Sequence, residues 1–71
     1  MEKLKKILDD AYDFGKLPKG LSPSSFFGLM IIYDSLRNGR SAEFIQKDIY
    51  DVLVKCKIKV KEKGIGWVAC E

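Results

Sequence analysis

The stretch that decides the fold class is KIKVKEKGIGWVAC, residues 57–70. Its first half alternates lysine with isoleucine and valine, which is the two-residue period of a half-buried strand. Its second half, residues 65–70, is apolar and predicts a second strand, and Gly64 supplies the turn between the two. We therefore expect a β-hairpin over about 57–70.

The pairing of this hairpin decides which side chains share a face. With residues 63–64 as the loop, the alternation of the strands places four apolar side chains on one face. Those side chains are Ile58 and Ala69, which face each other, and Val60 and Trp67, which face each other. The same register places Cys70 opposite Lys57 on the other face, whereas Cys56 belongs to the apolar side. A disulfide between Cys56 and Cys70 is therefore not expected.

The residues before the hairpin follow a helical period. Residues 2–14 form one apolar stripe at helical spacing, made of Leu4, Ile7, Leu8, Ala11 and Tyr12. A second helix over 23–37 begins at Ser22-Pro23, a capping residue followed by a proline suited to the first helical position. This helix is apolar on nearly every side, which is typical of a buried helix. Gly28 inside it indicates that a neighbour approaches closely.

A third helix is predicted over about 42–55, capped by Ser41. Only Asn38-Gly39-Arg40 separates it from the second helix, so the two are predicted to form a tight helix-turn-helix pair. Three helices followed by a C-terminal β-hairpin make an α+β domain whose element order resembles that of a winged helix-turn-helix. In such folds the third helix usually enters the major groove and the hairpin contacts the backbone. The resemblance is one of architecture alone, which does not assign a function.

Composition limits the chemistry that this chain can perform. Its 71 residues predict a single small domain spanning 1–71, and histidine is absent, which removes the commonest general base and metal ligand. The two cysteines alone cannot complete a structural zinc site. Two carboxylate pairs, Asp9 with Asp13 and Asp48 with Asp51, are interpreted as solvated helix surface, and Cys56 as core. We therefore expect no enzymatic activity, no cofactor and no metal.

The same features predict a compartment. Two cysteines are too few for the disulfide framework of small secreted proteins. The longest apolar run, residues 29–33, is too short to span a membrane, and acidic residues at 9, 10 and 13 interrupt any signal peptide. We expect a cytoplasmic protein with no membrane partner.

The excess positive charge lies in one place. Residues 1–54 contain eight basic and eight acidic side chains, whereas residues 55–63 contain five lysines and one glutamate. Glu71 brings the total to +3. Lysine at every second position of a strand suits a phosphate backbone. It also protects an exposed strand from edge-to-edge pairing, so both interpretations stay open.

The candidate residues for contact with nucleic acid, or with an acidic partner, follow from this charge. On helix three, Gln46, Lys47 and Tyr50 are predicted to face outward and to suit base edges, although Asp51 on that face opposes phosphate. Trp67 is predicted to be a core plug, with an exposed stacking platform as the alternative. The full set is Lys55, Lys57, Lys59, Lys61, Lys63, Arg37, Arg40, Lys47, Gln46 and Tyr50.

Two functions remain from this sequence. The first is a small non-enzymatic regulatory protein that binds nucleic acid through its lysine-rich hairpin. The alternative is a protein-binding adaptor or inhibitor, of the kind that phages and accessory genes encode, which acts through helix three and the hairpin edge. A homodimer formed through excess apolar surface on helix two is compatible with either function.

Overall fold

A computed structural model of the chain describes residues 2–70. Its helices are α1 (Glu2–Phe14), α2 (Pro23–Arg37) and α3 (Lys47–Lys55). Its strands are β1 (Ala42–Phe44), β2 (Lys59–Lys63) and β3 (Gly66–Cys70). The strands form one antiparallel sheet in the order β1-β3-β2. The predicted α+β class is therefore confirmed.

The first two helices occupy the residues that the sequence indicates, because their end signals are local. Gly15 adopts a φ of 65° directly after α1, and its N–H donates to the carbonyl of Ala11. Ser22 caps α2 through its hydroxyl, which accepts from the backbone N–H of Ser25 at 3.3 Å. Pro23 then takes the first helical position, where its missing N–H costs nothing.

The prediction for helix three is wrong at its start. Residues 42–44 form β1 instead of the first turn of a helix, and α3 begins at Lys47. Phe44 is buried, and in β1 it lies opposite Trp67 of β3. The apolar burial gained in this pairing outweighs the capping tendency of Ser41. Residues 38–46 therefore separate α2 from α3, and the predicted three-residue join is wrong.

The register of the hairpin differs from the prediction by two residues. Lys63 pairs with Gly66, so the loop is residues 64–65 rather than 63–64, and Val60 faces Ala69. Gly64 has a φ of 55°, which suits the first position of a type II′ turn. A shift of two residues keeps every side chain on its predicted face. The predicted apolar face of the hairpin is therefore confirmed, although its cross-strand pairs are not.

The core lies between the helices and this apolar face of the sheet. Leu29, Leu36 and Leu53 are completely buried in it, and Cys56 is part of it. A Cβ placed on Gly28 would lie 3.1 Å from Cδ1 of Ile49, which confirms the predicted close approach. Both cysteines are free thiols, as expected. Across residues 2–70, no helix combines the length and the apolar character needed to cross a membrane.

Candidate nucleic-acid interface

The sheet has an outer face that points away from the core, and we call it the lysine face. Its central row joins Glu43 of β1, Val68 of β3 and Lys61 of β2, because these residues are direct cross-strand partners. The rows beside it pair Cys70 with Lys59 and Gly66 with Lys63. The lysine face is made of Lys59, Lys61, Lys63, Glu43, Gly66, Val68 and Cys70.

The three lysines of β2 are exposed and evenly spaced. Alternate residues of a strand are roughly 6.8 Å apart, and all three side chains leave the same side of the sheet. Lys63 forms an ion pair with Glu43, which reaches it across the central strand. Among residues 2–70, no carboxylate lies within 4.0 Å of the Lys59 or Lys61 ammonium. Of the three lysines of β2, Lys59 and Lys61 are therefore the two whose charge is not offset by an ion pair within residues 2–70.

Lys57 is not part of β2. The strand is expected to begin at residue 57, but it begins at Lys59. Its φ is 60°, and it stands directly after α3, whose C-cap is Cys56. Its N–H donates to the Val54 carbonyl at 2.9 Å, and the N–H of Ile58 donates to the Leu53 carbonyl at 3.0 Å. These two bonds form a Schellman motif, in which glycine is the usual residue at this position.

Lys55 adds a further charge at the same end of α3. It occupies the last turn of the helix and is exposed. A cation here complements the negative end of the helix dipole. Lys55 and Lys57 therefore extend the positive region from β2 to the end of α3.

The other predicted cations lie outside the lysine face, because none belongs to a strand. Arg37 forms an ion pair with Asp34 at 3.1 Å, and Lys47 forms one with Asp51 at 3.8 Å. Each pair lies within a single helix and is exposed. The carboxylate of each pair therefore partly offsets the positive charge of Arg37 or of Lys47. Arg40 is exposed in the segment before β1.

Of the polar residues predicted to face outward on helix three, Gln46 and Lys47 are exposed, whereas Tyr50 is half-buried. The Gln46 side-chain oxygen accepts from the backbone N–H of Ile45 at 3.2 Å. The ring of Tyr50 is half-buried, with its centroid 5.2 Å from that of Trp67. The predicted outward position of Tyr50 is wrong, because the sheet covers that side of α3.

Trp67 lies on the inner face of the sheet between two aromatic rings. Its centroid is 5.8 Å from that of Phe44 and 5.2 Å from that of Tyr50. It is half-buried and packs against the core, as the core-plug prediction required. Bases that reached the lysine face would therefore find no aromatic side chain on which to stack.

Asp48 is an exception to the prediction that the paired carboxylates are solvated helix surface. Asp48 is half-buried, and its Oδ2 accepts from the backbone N–H of Ser22 at 3.3 Å. Burial raises the pKa of this carboxyl, but hydrogen bonds from Ser25, Ser22 and Ile49 outweigh that effect, so the pKa is lowered overall. Its role is to join α3 to α2, which no pattern in the sequence indicates because the two ends are 26 residues apart.

Cys56 and the acidic side chains are the groups considered for reactivity or metal binding. Burial raises the pKa of the Cys56 thiol, which disfavours the reactive thiolate. Residues 2–70 contain no cluster of three or more acidic or cysteine side chains that would hold a metal ion.

Comparison with known proteins identified no relative of this chain. No family model matches the chain, and no curated protein or solved structure has significant similarity to it.

Proposed function

We propose that this chain is a non-enzymatic nucleic-acid-binding domain that contacts the phosphate backbone with its lysine face. The observation that carries the proposal is the pair Lys59 and Lys61, exposed on one side of an edge strand with no carboxylate of residues 2–70 within 4.0 Å. Glu62, which lies between Lys61 and Lys63 in the sequence, is on the opposite face, across from Trp67. The alternation therefore separates Lys59 and Lys61 from the one acidic residue within β2.

The conformation of Lys57 supports the same proposal. A left-handed backbone costs a non-glycine residue about 1 kcal/mol or more, and glycine avoids that cost. A lysine that occupies a glycine position, at a φ of 60° and beside other lysines, retains a charge at the expense of stability. Because residues in strained conformations cluster at functional sites, Lys57 is a candidate contact residue.

This interface favours affinity over sequence discrimination. The lysine face has no aromatic side chain and no amide side chain, so it offers ammonium groups to phosphates rather than partners to base edges. If Lys57, Lys59 and Lys61 each neutralise one phosphate, the logarithm of affinity should fall with the logarithm of salt concentration with a slope of about −2.7 on duplex DNA. On single strands the corresponding slope is about −2.1.

The proposal keeps only one part of the winged-helix interpretation, the contact made by the hairpin. In its favour, β1 joins the C-terminal hairpin in one three-stranded sheet. The long segment between α2 and α3, and the Lys47–Asp51 ion pair on α3, disfavour a recognition helix in the major groove. We therefore assign the contact to the hairpin.

The test is fluorescence anisotropy of a labelled short duplex and a labelled single strand at several salt concentrations. The double variant Lys59→Gln with Lys61→Gln should lower affinity at least tenfold and flatten the salt slope. The control is Lys16→Gln with Lys19→Gln, which removes the same charge from two exposed residues outside the sheet. Equal loss in both variants, or no binding by the unchanged protein at low salt, would contradict the proposal.

The rate of Cys70 alkylation reports independently on where the nucleic acid binds. It is half-buried on the lysine face, directly opposite Lys59. A nucleic acid bound there should slow alkylation of Cys70 at low salt and restore it at high salt. Unchanged alkylation under saturating ligand would place the binding surface elsewhere.

A protein-binding adaptor or inhibitor is the second candidate, and one observation favours it. Strand β2 is five residues long and lies at the edge of the sheet, so one side of its backbone is available to a strand from a partner. Binding of this kind should depend on backbone hydrogen bonds and only weakly on salt. An extended peptide without net charge that binds with a shallow salt slope, where nucleic acid does not bind, would favour this function.

A further inference from the structure

Helix α2 has large apolar side chains on two opposite sides. Leu29, Ile32 and Leu36 are buried on its inner side. On its outer side, Phe27 is 65% exposed and Ile31 is 68% exposed, with Met30 beside them at 37%. Residues at i, i+3 and i+4 lie together on a helix, so these three form one patch, which we call the α2 patch. A helix that is apolar on both sides is typical of one packed on both sides.

Further apolar side chains continue the α2 patch in both directions. A groove of about 600 Å³ lies between α2 and the hairpin turn, with Ile31, Ile45 and Ile65 in its lining. A second groove of about 450 Å³ lies between α1 and α2, with Tyr12 and Met30 in its lining. The α2 patch is therefore a ridge between two grooves that are lined in part by further apolar side chains.

The surface area of the chain also points to a covered face. A folded monomer of 8.1 kDa is expected to expose about 4500 Å², whereas this structure exposes 5116 Å². A stable interface covers about 800 Å² on each partner, which is about one-sixth of this surface. Such an interface would cover the α2 patch together with the exposed apolar side chains in the two grooves, Ile45, Ile65 and Tyr12.

We propose that two copies of this chain form a symmetric dimer through the α2 patch, with their α2 helices antiparallel. A twofold axis at the level of residue 29 sets Phe27 of each copy against Ile31 of the other, about 3 Å along the helix from the axis. The twofold axis repeats this contact, so the exposed apolar surface of each copy is buried against the other. This inference is independent of the proposed nucleic-acid function.

Charge on α2 favours the antiparallel arrangement. The first turn of α2 contains no acidic residue, although an anion there would be stabilised by the helix dipole. Ser24 and Asp34 are each five residues from the axis, so Asp34 of one copy lies beside Ser24 at the start of the other α2. The second copy therefore places a further anion beside this helix start, in addition to Asp48, which accepts from the backbone N–H of Ser22. A parallel arrangement would place Asp34 beside Asp34 instead.

The rest of the charge does not oppose the pairing. Each chain has a net charge of +3, but the excess lies in residues 55–63, outside α2. Helix α2 has one ion pair near its end, between Asp34 and Arg37, and is neutral overall. Two copies therefore meet through their least charged helix.

The test is sedimentation velocity of the full chain from micromolar to submillimolar concentration. The unchanged protein should sediment as a dimer, and Ile31→Glu should sediment as a monomer at concentrations where the unchanged protein is dimeric. The control is Val54→Glu, which places the same charge on a 49% exposed valine of α3 and should leave the dimer intact. Phe27→Glu should repeat the effect of Ile31→Glu, and circular dichroism should show that all variants fold.

Cysteine cross-linking tests the orientation. In a Cys70→Ser background, Ser24→Cys mixed with Asp34→Cys should give a disulfide-linked heterodimer under mild oxidation, whereas Ser24→Cys alone should not. Cross-linking of Ser24→Cys to itself would indicate parallel helices and overturn the antiparallel arrangement. A monomer at every concentration, including a protein that instead binds a different partner through this helix, would overturn the dimer.

Discussion

The Oδ2 atom of Asp48, in the first turn of α3, accepts a hydrogen bond from the backbone N–H of Ser22 at 3.3 Å. Ser22 is the N-cap of α2, so a single carboxylate joins the starts of two helices. The backbone N–H groups at a helix start have no partner within the helix, and a carboxylate is the strongest acceptor available to them. The relative placement of α2 and α3 therefore depends on a charged contact as well as on the apolar core.

Asp48→Asn should destabilise the fold by about 1 kcal/mol at neutral pH, because a half-buried ionised acceptor becomes neutral. The lowered pKa means that the folded state stabilises the ionised form. This contribution is present above the pKa of the unfolded chain, about 3.9, and is lost as pH falls through the lower folded pKa. Urea unfolding curves of the two proteins should therefore differ at pH 7 and converge in acid.

The control for this measurement is Asp51→Asn on the same helix. Asp51 makes an exposed ion pair with Lys47, so its loss should change the free energy of unfolding by less than about 0.5 kcal/mol. Equal effects of the two variants at pH 7 would contradict the assigned role of Asp48.

Lys57→Gly and Lys57→Ala separate the charge of Lys57 from its backbone conformation. Glycine removes the strain at a φ of 60° and should stabilise the fold by up to about 1 kcal/mol, after the added freedom of the unfolded chain is subtracted. Alanine keeps the strain, so it should bring no such gain. Both variants should weaken nucleic-acid binding equally and reduce the salt slope by about 0.9. Thermal unfolding and anisotropy titrations give the two readings separately.

Gly66→Ala should be far more destabilising than Gly28→Ala. A Cβ on Gly66 would lie 2.9 Å from the carbonyl oxygen of Phe44, a backbone atom held by the pairing of β1 with β3. We expect a loss of about 1–3 kcal/mol in chemical denaturation. A Cβ on Gly28 meets only the tip of the Ile49 side chain, and alanine gains about 1 kcal/mol in helix propensity. Gly28→Ala should therefore be close to neutral, and similar losses in both variants would contradict this account.

The two cysteines should react at very different rates in the folded protein. Cys70 is half-buried on the lysine face, whereas Cys56 is buried and its thiol pKa is raised. A thiol reagent at neutral pH should modify Cys70 first, and Cys56 only as the chain unfolds. Cys70→Ser should remove the fast phase, and Cys56→Ala should leave it unchanged. A fast phase that survives in Cys70→Ser would show that Cys56 is accessible.

Sequence alone was sufficient for the features that neighbouring residues control. The bounds of α1 and α2 follow from apolar spacing and from local end signals such as Ser22-Pro23, which act within one turn of the helix. The faces of the hairpin follow from its two-residue period. They are predicted correctly even though the predicted register is shifted by two residues. The concentration of charge in residues 55–63 is likewise a property of the sequence.

Contacts between distant residues decided the rest. Strand β1 is three residues long, too short to show a period, and it forms because β3 offers it a partner and a place to bury Phe44. The same sheet turns Tyr50 inward against Trp67, and folding brings Asp48 to Ser22. Glu43 joins Lys61 and Lys63 on the lysine face only because β1 pairs with β3. Local periodicity sets each element, whereas burial of side chains far apart in sequence sets which residues meet.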